Sequence, residues 1–256
     1  VYLSNDLQVA TSALGSRATD LRIQPEARGY VPLARGVTFA LRGTVGLILS
    51  PNYGSAVQAD LAPRLPNGAP SQPVPSDADL DRDIENIYFR GFFSGGPSSN
   101  RGFPLRGVGP YGTVPFLNPG TASTQVLLNC DPHSPGYNPS QCALPIGGLT
   151  LWEASAEVRF DVSGPLGMAT FCDAGDVSAY AEQIRLNHLH LSCGVGARYD
   201  TPVGPIRLDI GYRIQPLQVL PYPDESSAYQ ADPSNGLPAR ILGLPLAFAF
   251  GIGEAF

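Results

Sequence analysis

Residues 205–214 read Pro-Ile-Arg-Leu-Asp-Ile-Gly-Tyr-Arg-Ile. In an extended chain, side chains alternate between two faces. Ile206, Leu208, Ile210, Tyr212 and Ile214 then share one face, and Arg207, Asp209, Gly211 and Arg213 share the other. The period is two, which predicts a β-strand with one apolar and one polar side. The same pattern recurs outward along the chain. From 151 to 161, Trp152, Ala154, Ala156, Val158 and Phe160 oppose Glu153, Ser155, Glu157, Arg159 and Asp161. From 37 to 49, Val37, Phe39, Leu41, Val45, Leu47 and Leu49 oppose Arg42 and Thr44. From 244 to 256, Leu246, Phe248, Phe250, Ile252 and Phe256 oppose alanines and glycines.

These runs predict about nine strands, near 2–14, 19–32, 36–49, 84–95, 148–162, 166–177, 189–202, 204–214 and 244–256. Several exceed the five or six residues usual in soluble sheets. No stretch of about 18 apolar residues predicts a transmembrane helix. A barrel strand, however, needs only alternate apolar residues to cross a bilayer. The connections alternate in length. Those near 163–165 and 203–205 are tight, whereas 50–83, 96–147 and 215–243 are long and rich in Pro, Gly, Ser and Asp. Segment 50–83 lacks apolar periodicity and is expected to be a mobile loop. Short turns on one side and long loops on the other suit a membrane barrel. A soluble sandwich would have shorter, more evenly spaced strands. The expected fold is all-β, a transmembrane antiparallel β-barrel, with residues 1–256 forming part of one barrel domain.

Composition agrees. Glycine (29) and proline (26) are abundant without a three-residue period, which predicts many turns. The net charge is -6, and all 16 basic residues are Arg. An acidic chain without a basic patch argues against a nucleic-acid partner. The chain opens Val-Tyr-Leu-Ser-Asn-Asp, with neither the basic start nor the apolar core of a signal peptide. Cys130 and Cys142 lie in a turn-rich segment, where a disulfide closing the loop is plausible in an oxidising compartment. Their spacing fits no zinc motif. By parity, Cys172 and Cys193 face lipid on neighbouring predicted strands. They are read as small apolar wall residues in preference to a disulfide.

Four motifs, in order, resemble one family. Phe92-Phe93-Ser94-Gly95-Gly96-Pro97-Ser98-Ser99-Asn100-Arg101-Gly102-Phe103 resembles the Arg-Gly-Phe/Tyr loop of the BamA/TamA family of outer-membrane assembly barrels, the bacterial surface antigen family. Phe171-Cys172-Asp173-Ala174-Gly175 matches that family's F-x-D-x-G strand motif. Residues 194–209 look like its near-terminal strand pair, and Ile252-Gly253-Glu254-Ala255-Phe256 is similar to its aromatic C-terminus. The likeness covers about 84–256, and more loosely reaches back to Arg22–Tyr30. It implies that Arg101 pairs in the lumen with Asp173 and Glu157. It also implies that Gly102 and Phe103 seat the loop tip, with Gly175 completing the strand motif. A guanidinium fork between shielded carboxylates is a strong, directional contact. Phe248, Phe250 and Phe256 would form the C-terminal insertion signal, on an edge strand whose backbone can pair with another strand. The family's barrels have sixteen strands, so about nine are expected to be the C-terminal portion of a barrel whose first strands lie upstream. The POTRA domains that precede such barrels have no counterpart in residues 1–256.

Catalysis is not expected. Asp173 and Glu157 could be read as paired acid–base carboxylates, but no third group, metal cluster or histidine network accompanies them. No G-x-S-x-G, P-loop or H-E-x-x-H occurs. His188 and His190 share a face and could hold a metal weakly, although a structural or solvated role is favoured. His133 lies in the long loop. No cofactor and no metal are therefore expected. The resemblance implies a bacterial outer-membrane barrel that assists insertion, assembly or translocation. Its partners would be outer-membrane lipid, client or partner outer-membrane proteins and accessory envelope proteins. Two alternatives accompany it: a two-partner-secretion-like transporter or pore of the same superfamily, and a structural barrel subunit of a larger envelope complex.

Overall fold

The computed structural model describes residues 1–62, 65–114, 143–202, 204–214, 244–253 and 255. Its strands are β1 (Tyr2–Ala10), β2 (Asp20–Ala34), β3 (Val37–Leu49), β4 (Tyr111–Thr113), β5 (Ala143–Pro145), β6 (Thr150–Ser163), β7 (Leu166–Ser178), β8 (His190–Tyr199), β9 (Ile206–Arg213) and β10 (Leu246–Ile252). Eight of them form one antiparallel sheet in the order β1-β2-β3-β6-β7-β8-β9-β10, while β4 and β5 form a separate ribbon. Every neighbour in the large sheet follows its partner among the long strands. The wall is thus an up-and-down meander of the kind that closes barrels. No helix among the described residues is long and apolar enough to cross a membrane.

The two faces carry the alternation read from the sequence. Leu208, Tyr212, Phe248 and Phe250 are exposed on the outer face, whereas Arg207, Asp209 and Arg213 are buried on the inner one. Leu41, Val195, Leu166 and Met168 extend the exposed apolar surface across the other strands. A band this continuous would be costly in water and is at home in hydrocarbon. The fold is therefore a segment of a transmembrane β-barrel, apolar toward lipid and charged toward the lumen. The tight connections β2–β3, β6–β7 and β8–β9 lie at one end, here the turn end. The long connections lie at the other, the loop end.

Eight wall strands stand where about nine were expected, and the difference is one segment. Residues 84–95 are not a strand: α2 (Asp77–Arg90) is a 14-residue helix. Ser76 caps it by accepting from the Asp79 amide, Asp77 and Asp79 sit in the first turn, and Arg90 sits in the last. Each of these favours a helix in that direction. Ile84 and Ile87, three apart, bury one helical face. Segment 50–83 likewise departs from the expected mobile loop. It contains α1 (Ser55–Asp60) and the start of α2. The buried Asp83 joins the two helices by accepting from the amides of Gly54 (2.7 Å) and Ala56 (2.8 Å).

These helices cap the loop end. Ile48, Tyr53, Val57, Ile84, Ile87, Phe92, Leu149 and Val177 form the main apolar cluster. The dry core of this segment thus lies under the cap, and the lumen is polar. Arg90 ties the cap to β2 through Asp20, with Nη2 at 2.7 Å from Oδ1 and Nε at 3.0 Å from Oδ2. Tyr53 donates its hydroxyl to the same carboxylate at 2.8 Å. Burial, together with the Asp20 carboxylate, pushes the Tyr53 phenol well above its ordinary range, so it remains a donor. Asp20→Asn should weaken this clasp by about 1–3 kcal/mol. Hydrogen exchange in α2 should rise while that of β6 and β7 stays constant, and equal protection of α2 in the variant would refute the clasp.

Cys172 and Cys193 form a disulfide. This corrects the reading of two independent wall residues. Their outward parity and adjacency are as expected, but the register sets them directly opposite, with Cα atoms 4.0 Å apart. Cys130 and Cys142 lie outside the described residues.

Candidate functional site

The site is a loop folded into the lumen. After α2 the chain bridges Phe92 to Gly148, just before β6, and Ser94 to Val108, so the loop is tied to the rim and its two limbs to each other. Between them Gly95 and Gly96 take positive φ (100° and 105°), which only glycine adopts without strain. That reversal directs residues 97–103 down against the inner wall.

Arg101 is fully buried at the tip. Its Nε donates to Asp173 Oδ2 and its Nη2 to Asp173 Oδ1, both at 2.8 Å, which is a two-pronged fork. Its backbone amide adds a third bond to Asp173 Oδ2 at 3.0 Å. The remaining guanidinium nitrogen, Nη1, donates to Glu157. The guanidinium lies over the Phe171 ring, 3.5 Å from its centroid. The two carboxylates offset the cost of burying the guanidinium charge.

The expected trio of Arg101, Asp173 and Glu157 is thus brought together from one loop and two adjacent strands. Alternation explains why. Asp173 on β7 and Glu157 on β6 both take inward parity, and antiparallel pairing sets Ser155 opposite Asp173, one inward position from Glu157. Gly102 passes so close to β8 that a Cβ there would lie 2.2 Å from Ser192 Cβ. Phe103 is buried and meets the His190 ring edge-on at 5.7 Å. Gly175 is inward on β7, and a Cβ there would lie 2.8 Å from the Trp152 carbonyl oxygen. Phe248 and Phe250 stand on the lipid face of β10, far from this seat in chemistry; Phe256 lies outside the described residues.

Other contacts hold the loop that the sequence did not single out. Asn100 donates to the His190 carbonyl at 2.7 Å and accepts from Ser192 Oγ at 2.5 Å. Ser192 Oγ in turn accepts from the Gly102 amide at 3.0 Å. Ser99 donates to Glu153. Two wall arginines grip the loop backbone from opposite sides: Arg42 on the Ser98 carbonyl at 3.0 Å and Arg207 on the Pro97 carbonyl at 2.6 Å. Gly211 on β9 leaves room for the tip, since a Cβ there would lie 2.6 Å from Gly102 Cα. The available signal was parity: Arg207, Asp209 and Gly211 share the polar face of the strand that opens the sequence reading.

Around the seat the charges alternate. Arg159 Nε contacts Glu157 at 2.7 Å, and Arg198 Nη1 contacts Asp209 at 2.5 Å. Arg207 Nη1 contacts Asp209 at 3.0 Å, and Arg42 Nε contacts Glu26 at 2.6 Å. Such a network of buried forks fixes a geometry. Its buried charges are held in place by one another.

No curated protein sequence matches the chain. Among solved structures, BamA from Haemophilus ducreyi lacking POTRA domains 1–3 is similar at 15% identity and a TM-score of 0.46, covering 81% of this chain. The chain spans about a third of that structure's length, at 33%. The Omp85 superfamily domain matches residues 1–256, the whole wall and its lumenal loop, and the chain belongs to the Omp85 superfamily.

Proposed function

We propose that this barrel segment serves the insertion and assembly of other outer-membrane proteins, as a BamA/TamA-type machine of the bacterial outer membrane. The observation that carries the reading is the inward loop locked by Arg101 on Asp173 and Glu157. A second feature supports it. β2, β3, β6 and β7 run to 13–15 residues, whereas β9 has 8 and β10 has 7. At about 3.3 Å per residue, the wall falls from roughly 45 Å of strand to roughly 25 Å toward β10. A short apolar belt thins the adjoining bilayer, and a client strand enters most easily there.

The work is noncovalent and the protein acts without a catalytic group. The lumenal loop keeps the wall in one shape while client strands add at the β10 side through backbone hydrogen bonds. Depletion of the protein in its own organism tests this. Many unrelated outer-membrane barrels should fall together in the membrane fraction while their messages persist. Loss of one secreted protein alone, with the other barrels at normal levels, would overturn the assembly reading in favour of a transporter.

A further inference from the structure

Beside the loop seat, the loop-end rim gathers three metal-ligating side chains. Asp176 comes from the end of β7, His190 opens β8, and His188 lies two residues before it. All three are buried, with Asp176 and His190 each 1% exposed. His188 Nδ1 lies 2.9 Å from Asp176 Oδ1, and His190 Nδ1 lies 3.6 Å from the same oxygen. The imidazole rings stand 5.1 Å apart, and one donor atom from each residue falls within 4.8 Å of the others.

We propose that Asp176, His188 and His190 form a site for a divalent transition-metal ion, with zinc, copper(II) or nickel as the class. Two imidazoles and one carboxylate suit these ions, whereas magnesium and calcium prefer all-oxygen shells. With metal–ligand bonds of about 2.0–2.2 Å, donors of a tetrahedral site stand roughly 3.5 Å apart. The donors, up to 4.8 Å apart, need to draw in by up to about 1.3 Å, a shift within the reach of two side-chain torsions. A fourth position is left for water, as in zinc sites with three protein ligands.

Arg185 sets the affinity. Its guanidinium forks Asp176, with Nε at 2.9 Å from Oδ2 and Nη2 at 3.1 Å from Oδ1. A metal ion on Oδ1 must displace one prong or share the carboxylate with it. Either way the arginine charge opposes the metal, and binding is moderate. The site also reaches the loop seat: the His190 carbonyl accepts from Asn100 and its ring packs on Phe103. A bound ion would therefore clamp the β7–β8 connection and stiffen the wall on which the lumenal loop rests. This inference is independent of whether the barrel assembles clients.

The test uses the full-length protein in detergent, stripped with a chelator and titrated with Zn²⁺ against a chromophoric competitor. One Zn²⁺ per chain should bind. H188Q/H190Q, checked for heat-modifiable gel migration, should bind at least tenfold more weakly, while H133Q should bind as the parent does. R185Q should bind about tenfold more tightly, because it removes the opposing charge. Copper(II) electron paramagnetic resonance of the parent protein should show coupling to two imidazole nitrogens, a readout that needs no variant to fold. Absence of stoichiometric Zn²⁺, retention of full affinity in folded H188Q/H190Q, loss in H133Q alone, no tightening in R185Q, or a copper spectrum without imidazole nitrogens would each overturn the site.

Discussion

Arg101→Ala should lower the temperature at which the folded barrel converts to its unfolded gel form, and should expose residues 94–108 to protease. Removing one partner of a buried ion pair leaves the other charge uncompensated, at a cost of about 3–5 kcal/mol. The two carboxylates would not suffer equally. Glu157 keeps Arg159 at 2.7 Å and Arg198 at 3.6 Å. The hydrogen bonds that Asp173 makes among the described residues all come from Arg101, through the amide, Nε and Nη2. Asp173→Asn should therefore be nearly as damaging as Arg101→Ala, and Glu157→Gln milder. Arg101→Lys keeps the charge but loses the fork and the flat contact with Phe171, so it should recover only part of the loss. An Arg101→Ala barrel with unchanged gel mobility, protease resistance and client assembly would sink the anchoring role.

The wall was legible because a membrane strand has one constraint, apolar out and polar in, and the period of two reports it directly. Parity put Glu157 on the polar face of its strand, whereas the pairing of Arg101 with Asp173 and Glu157 came from the family resemblance of the loop and strand motifs. What parity cannot do is fix register, and that is why Cys172 and Cys193 were read as neighbours short of a disulfide. Their bond depends on standing directly opposite. Residues 84–95 read as a strand because Ile87, Tyr88, Phe89, Phe92 and Phe93 favour strands, while the signals of helix α2 lie upstream. The cap at Ser76 and the acidic first turn fall in a segment that had looked like plain loop. The Asp176–His188–His190 cluster was hidden for a different reason. Asp176 shares the outward parity of Cys172 and Ala174, yet the β7–β8 connection with Arg185 folds over it and buries it. Only the three-dimensional course of that connection reveals the meeting.

The sharper test of a seated loop changes no charge at all. Gly211→Ala puts a methyl on β9 at 2.6 Å from Gly102 Cα and N, and at 2.7 Å from the Arg101 carbonyl oxygen. Carbon contacts settle near 3.5–4.0 Å, so one side must retreat by about 1 Å. β9 is paired on both edges, with β8 and β10, so the loop is the side that gives. A retreat of that size would stretch the 2.8 Å bonds of the Arg101 fork toward about 3.8 Å, beyond hydrogen-bond range. The direct overpacking strain is about 1–3 kcal/mol, and the weakened fork adds to it. Gly211→Ala should therefore reproduce the protease-sensitive loop of Arg101→Ala while leaving every charged group in place. Because both act through the same docked state, the double variant should lose much less than the two single losses combined. Gly102→Ala offers a contrast. Its obstacle is the Ser192 side chain, at 2.2 Å from Cβ to Cβ, so Ser192→Gly should rescue it in part. The same change should not rescue Gly211→Ala, whose obstacle is loop backbone. Full additivity of Gly211→Ala with Arg101→Ala would mean that the arginine and the glycine do not share one seat, and the docked loop would have to be abandoned as the element that sets the barrel's shape.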